Sequence, residues 1–259
     1  MLRDVRGPAD GRSGRGPALY CQHLIKRYGE GETIVDALRG VSVSFPRGSF
    51  TAIMGPSGSG KSTLMHLLAG LDHPTSGNVW LDGSSLDGLD DTELTRLRRT
   101  RVGFVFQSLN LIPVLTAEEN IVLPLRIAGE EIDQGWLERL LSAVGIENRR
   151  HHLPSELSGG QQQRVAIARA MMSRPSVVFA DEPTGNLDSQ TTEVVLALLR
   201  RAVDEFSQTI VMVTHDPLAA AHADRILFLH DGLVVREAEG LSAPEILDSM
   251  KTLQLVGMA

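Results

Sequence analysis

From Ala18 almost to the end, short apolar runs alternate with stretches in which apolar positions recur every three or four residues. LYCQHLI (19–25), LRGVSVSF (38–45) and SFTAIM (49–54) are strand-like and close together, which predicts an antiparallel β element near the start. GPSGSGKSTLMHLLAGL follows as a glycine loop running into a helix that ends at Gly70. NVWLDG (78–83) and VGFVFQ (102–107) read as strands on either side of a polar helix at Asp91–Arg98. Between Thr116 and Val144 the period stays helical, through IVLPLRIAG and WLERLLSAVGI, with no strand candidate inside it. That block, about 108–160, predicts an inserted α-helical subdomain. VVFADEP (177–183) and TIVMVTH (209–215) are continuously apolar up to their polar ends, as expected of strands covered on both faces, and the amphipathic TEVVLALLRRAV separates them. Asp231-Gly232 between two apolar runs predicts a hairpin, and a helix from about Ala243 to Thr252 closes the chain. The predicted class is α/β, with a mostly parallel core sheet, an antiparallel β element and the inserted helices. Residues 18–240 form the main domain, 1–17 a tail and 241–259 a C-terminal helical segment.

Composition narrows this picture in a few places. At 259 residues and 42% apolar content the chain can bury a full core. The tail, MLRDVRGPADGRSGRGP, is rich in Gly, Arg and Pro and is expected to be disordered. A formal charge of −7 argues against a generic polyanion-binding surface, so no nucleic-acid partner is expected. The single cysteine, Cys21, excludes an intrachain disulfide and a cysteine-rich metal site, and reads as core packing in a reducing compartment. No run approaches the roughly 18 apolar residues of a membrane span, and the N-terminus lacks the apolar centre of a signal peptide. A cytoplasmic chain is expected, with any membrane role coming through another chain.

GPSGSGKST (55–63) fits G-x-x-x-x-G-K-[ST] and sits between a strand and a helix, the context a phosphate loop needs. Its residues Gly55, Pro56, Ser57, Gly58, Ser59, Gly60, Lys61, Ser62 and Thr63 are the candidate triphosphate cradle. The glycines let successive N–H groups turn inward, the helix N-terminus adds its positive end, and Lys61 supplies a point charge. Ser62 can ligate Mg²⁺. Asp181 ends a buried strand beside that loop and can hold Mg²⁺ through water. Glu182, next in sequence, is the candidate base for attacking water. His215 and Gln107 end their own strand-like runs on the same edge, so Lys61, Glu182, His215 and Gln107 are the candidate catalytic residues. Ser62, Gln107 and Asp181 are the candidate metal ligands. The expected cofactors are ATP and Mg²⁺.

LSGGQ (157–161) places a serine and two glycines before the helical run QQQRVAIARAMM, a second phosphate-cradling helix start about a hundred residues from the phosphate loop. LSGGQ resembles the signature sequence of the ATP-binding cassette (ABC) ATPases. The order of elements in that family is present: Tyr28 ahead of the first glycines, the phosphate loop, Gln107, LSGGQ, VVFADEP, the GNLDS turn (185–189) and His215. The resemblance covers about Ala18–Glu239. It implies a head-to-tail dimer in which Ser158, Gly159, Gly160 and Gln161 cap the ATP held by a partner's phosphate loop. By the same resemblance Asp188 lies at the dimer seam and Tyr28 stacks on adenine.

The wording of several segments, among them VGFVFQSLNLIPVLTAEENIVLPL, DEPTGNLDS and VTHDPLAAAHADRI, is similar to the branch that includes macrolide exporters, lipoprotein-releasing complexes and the cell-division ATPase. In that branch a small ATPase works with a separate integral membrane permease, so a peripheral position on the inner face of the cell membrane is expected. Leu109, Thr192 and Ser49 depart from residues common there, and none occupies a catalytic position. The apolar residues Leu109, Leu111, Ile112 and Leu115 either receive a short helix of the permease or pack internally. Arg96, Arg98, Arg99 and Arg101 form a basic helix face, either solvated or turned to anionic lipid. A soluble, non-transport ABC ATPase is the alternative; one phosphate loop, one cysteine and no heptad block argue against it.

Overall fold

The period-two apolar strands build two sheets in the computed structural model, which describes residues 16–256. The expected disordered tail therefore lies outside the described residues except for its last two. In chain order the elements are β1 (Leu19–Tyr28), β2 (Val35–Phe45), β3 (Phe50–Met54), α1 (Lys61–Leu68), β4 (Ser76–Leu81), β5 (Ser84–Ser85), α2 (Asp91–Arg101) and β6 (Val102–Phe106). There follow α3 (Ala117–Ala128), α4 (Gln134–Val144), α5 (Gly159–Met171), β7 (Val177–Asp181), α6 (Ser189–Phe206), β8 (Ile210–Val213), α7 (Pro217–Ala220), β9 (Arg225–His230), β10 (Leu233–Glu239) and α8 (Ala243–Val256).

One sheet, in the order β2-β1-β4-β5, is antiparallel. The other runs β10-β9-β3-β8-β7-β6, with every neighbouring pair parallel except the β9–β10 hairpin, whose turn is Asp231-Gly232. SFTAIM, expected with the first two strands, is found elsewhere. As β3 it lies between β8 and β9 in the parallel sheet. All five of its residues are buried, so it has no polar face to present to water, whereas β1 carries exposed positions along its length.

Alternation explains the core. On β7, β8 and β9, residues Val178, Ala180, Ile210, Met212, Ile226 and Phe228 face the cluster built by α3–α8. Their neighbours Val177, Phe179, Val211, Val213, Leu227 and Leu229 face α1, α2 and the antiparallel sheet. Both faces are covered, so these strands read as continuous apolar runs. All the parallel strands end at one edge, and the polar residues that follow them meet there. α3, α4 and α5 intervene between β6 and β7, and α5 packs against α3, α4 and β6 alike. No described helix is long and apolar enough to cross a membrane.

Candidate active site

The phosphate loop hangs between fully buried β3 and α1. Gly60 caps α1 with φ +100°, and a Cβ there would sit 2.4 Å from the Ala37 carbonyl oxygen, so only glycine lets β2 come this close. The β9–β10 turn braces the loop from behind: the Gly232 N–H donates to the Ser59 carbonyl at 3.0 Å, and the Arg39 N–H donates to the Gly232 carbonyl at 2.9 Å. The Ser59 hydroxyl is buried without a partner among the described residues. Lys61 Nζ donates to the carbonyls of Gly55 (2.9 Å) and Pro56 (2.8 Å), so the ammonium sits within the loop. Burial lowers its pKa, against the opposing pull of Glu182 and Asp181. Ser57, Gly58 and Ser62 are exposed, and Thr63 is half-buried in the first turn of α1.

Asp181 closes β7, where burial and then the neighbouring Glu182 push its carboxyl pKa up, in spite of His66 and Lys61. A half-buried carboxylate short of positive charge, with the Ser62 hydroxyl on the adjoining helix, is a hard-oxygen donor set. No group of three or more His, Cys, Asp or Glu among the described residues is placed to hold a metal alone. The oxygen donors of Ser62 and Asp181 fit Mg²⁺, which is held by one or two protein oxygens together with waters and substrate phosphates.

Glu182 adopts the left-handed backbone, φ +45°, while its N–H donates to the Val213 carbonyl at 2.9 Å. The turn carries its carboxylate to His215, 2.8 Å from Oε1 to Nδ1, with the Thr214 hydroxyl donating to Oε2 at 3.4 Å. His215 lies two residues past the end of β8, not within the strand, and its side chain is 73% exposed against 21% for Glu182. Gln107 follows Phe106, the register partner of Asp181, so it stands at the same edge. Its amide is paired with Asn186: Nε2 donates to Asn186 Oδ1 at 3.3 Å, and Asn186 Nδ2 donates back to the Gln107 carbonyl at 3.4 Å.

At the signature, Ser158 is the N-cap of α5, with Ser158 Oγ accepting from the Gln161 N–H (3.3 Å) and Gln161 Oε1 accepting from the Ser158 N–H (2.9 Å). Asp188 caps α6 through the N–H and hydroxyl of Thr191, which hold its carboxyl pKa below the usual range. A Cβ on Gly160 would meet the Thr191 methyl at 2.4 Å, so the starts of α5 and α6 are in close contact. Ser158 and Gly159 are exposed, and no hydrogen bond among the described residues joins 158–161 to the phosphate loop. Tyr28 ends β1, 41% exposed, opposite the 61% exposed Val35. It presents an aromatic face beside an apolar neighbour.

Three positioning side chains were not anticipated from the sequence. Buried Gln163 donates to the Pro183 carbonyl at 2.7 Å and ties α5 to the turn after Glu182. Arg169, its pKa lowered by burial, donates to the carbonyls of Leu109 (2.8 Å) and Asn110 (2.7 Å). Fully buried Asn120 binds the Ile112 N–H and the carbonyls of Ile112, Leu115 and Thr116. Together they shape a groove of about 590 Å³ along Gln107–Leu111, walled by Pro154, Gln162 and Leu187. Of the apolar residues there, Leu111 packs on the core, while Ile112 and Val114 are exposed, 40% and 78%.

The ABC transporter family profile matches residues 38–185. The chain is 48% identical over 225 residues to the ABC transporter ATP-binding protein MJ0796 of Methanocaldococcus jannaschii, covering 85% of this chain and 96% of that one. It is 44% identical over 243 residues to the lipoprotein-releasing system ATP-binding protein LolD 2 of Rhodopirellula baltica, covering 90% and 94%. It is 48% identical over 224 residues to the macrolide export ATP-binding/permease protein MacB of Syntrophobacter fumaroxidans; there it covers 85% of this chain but spans only 31% of the exporter. The dimeric MJ0796 structure in a post-hydrolysis state with ADP and Pi superposes with a TM-score of 0.76 at 43% identity, covering 86% of this chain and 99% of that one.

Proposed function

Since the chain belongs to the ABC transporter family, we propose that it binds ATP through residues 55–63 and hydrolyses it in a head-to-tail homodimer, powering a separate membrane permease. The observation that carries this reading is the meeting of Lys61, Asp181, Glu182 and His215 at one sheet edge, while a capped but exposed signature helix on the same chain makes no hydrogen bond to that loop among the described residues.

In this reading the loop N–H groups and Lys61 hold the triphosphate, exchanging the carbonyl contacts of Lys61 for phosphate oxygens. Ser62 and Asp181, with Gln107 once its amide leaves Asn186, would hold Mg²⁺, which supplies charge neutralisation between the phosphates when bound. Glu182 accepts a proton from the attacking water, and His215 holds the Glu182 carboxylate in position and reaches the γ-phosphate. Ser158, Gly159, Gly160 and Gln161 meet the partner's ATP, with Asp188 at the seam. Each site is complete only in the closed dimer, so ATP favours closure by binding the closed form better.

The likeness to MacB and LolD supports export, lipoprotein release or transmembrane mechanotransmission as the work of this chain, at the inner face of the cell membrane. The groove along Gln107–Leu111, with exposed Ile112 and Val114 in the loop that continues from it, is the proposed seat for a permease helix. We treat 18–240 as the ATPase domain, with 108–160 its helical subdomain and 241–259 a C-terminal segment. The test is purification of the Glu182→Gln protein with ATP and Mg²⁺ from solubilised membranes of its native cell. Recovery of an integral membrane protein with a large extracytoplasmic domain is expected; recovery of soluble partners alone, where a known ABC complex survives the procedure, would overturn the transport reading.

A further inference from the structure

We propose that Asp72 and Lys26 form an orienting clamp on Tyr28, fixing its ring and leaving one defined face for the base of the bound nucleotide. The proposal rests on the reading of Tyr28 as the residue that stacks on adenine. It concerns positioning residues, since neither Asp72 nor Lys26 is required to touch the nucleotide.

A tyrosine that ends a strand and is 41% exposed would ordinarily sample several rotamers, at an entropic cost whenever a base ordered it. Here the phenol is tied down. Tyr28 Oη donates to Asp72 Oδ2 at 2.9 Å, and the other carboxylate oxygen accepts from Lys26 Nζ at 2.7 Å and from the His73 N–H at 2.7 Å. Lys26 Nζ also donates to the His73 carbonyl at 2.7 Å. Lys26 and Tyr28 are two residues apart on β1, so their side chains leave the same face of the strand. The Lys26 side chain is only 12% exposed, which is unusual for a lysine and shows that this contact, not solvent, occupies its ammonium.

The geometry has a directional consequence. Lys26 Nζ lies 4.8 Å from the Tyr28 ring centroid, in the space a stacked base would need on that side. A base can therefore stack only on the opposite face. The ammonium also withdraws density from the π system, which favours an electron-rich purine on the free face. Burial and the Asp72 carboxylate push the Tyr28 phenol pKa up, against the Thr63 side chain, which pulls it down; the net direction favours the phenol as donor to Asp72. Asp72 sits just beyond α1, whose first turn closes the phosphate loop. One short helix thus references both ends of the nucleotide: its N-terminus holds phosphates and the turn after its C-terminus holds the ring.

The test is calorimetric titration of the full chain with Mg-ATP and, as a base-free probe, Mg-tripolyphosphate. Tyr28→Leu is expected to weaken ATP about tenfold, the scale of one base–aromatic stack. Asp72→Ala and Lys26→Met should each weaken ATP by roughly three- to tenfold, part of that stack. Lys26→Arg should restore affinity, and none of these changes should alter tripolyphosphate binding. Adding Asp72→Ala to Tyr28→Leu should cost nothing further, because the clamp has no ring to hold. Equal weakening for tripolyphosphate, or additive losses in the double variant, would overturn the clamp and leave a structural role. If Tyr28→Leu weakens ATP while Asp72→Ala and Lys26→Met do not, the clamp fails and the stacking reading stands. An unchanged ATP affinity in Tyr28→Leu overturns both.

Discussion

At the scale of single residues, the chemistry depends on where one backbone turn aims one carboxylate. Glu182 is held with φ +45°, a conformation that costs a non-glycine residue about 1 kcal/mol, and it is fixed there by the Val213 carbonyl and by His215. Glu182→Gln keeps the shape and removes the basicity. We expect ATP turnover to fall by at least about 10²-fold with ATP affinity retained, read by steady-state phosphate release beside equilibrium binding. Near-normal turnover would remove Glu182 from the base role. The position of this acid was legible, because it follows a buried strand on the edge where the phosphate loop also lies. Its contact with His215 was not, because that depends on a left-handed turn which no spacing announces. The same is true of Gln163, Arg169 and Asn120. Gln163 and Arg169 bind main-chain carbonyls of distant loops and Asn120 binds the main chain of the loop just before its helix, so no complementary residue pair marks any of them in the sequence.

At the scale of elements, α5 shows one residue serving two ends. Ser158 caps its own helix through Gln161, and the same hydroxyl is proposed to face the partner's ATP. The two roles separate by substitution. Aspartate caps as well as serine does, so Ser158→Asp should leave the melting temperature close to wild type. It would set a negative charge against a triphosphate, so ATP-driven dimerisation and turnover should be lost. Ser158→Ala should lose about 1 kcal/mol of stability with a milder loss of turnover. If Ser158→Asp hydrolyses ATP at the wild-type rate, the signature does not meet nucleotide. The helix start itself was readable from a serine and two glycines ahead of a helical run, while the capping box between Ser158 and Gln161 emerged with the structure. The sheet assignment of β3 was less readable. Five buried residues fit the neighbourhood of β1 and β2 as well as the centre of a parallel sheet, and only the demand for cover on both faces decides between them.

At the scale of the whole molecule, the chain presents two half-sites that make no hydrogen bond to each other among the described residues. The phosphate loop with its acids lies at the carboxyl edge of the sheet, and the signature N-terminus has one N–H, that of Gln161, held by its own Ser158 cap and is otherwise open to solvent. Two copies arranged head to tail complete both halves at once, and the dimeric cassette of MJ0796 is a precedent among relatives. That composite arrangement makes a prediction no single-chain site can satisfy. A Ser158→Arg subunit has an intact phosphate loop and a blocked signature, while a Lys61→Ala subunit has the reverse. In a mixed dimer one site pairs the two intact halves and the other gathers both defects. Random pairing makes half the dimers mixed, each with one working site. Two variants inactive alone should therefore recover roughly a quarter of wild-type turnover when mixed in equal amounts. Unequal pairing changes that fraction but not its sign. Turnover in the mixture no higher than in either pure variant, with mixed dimers verified by mass, would mean that the signature does not serve the partner's nucleotide.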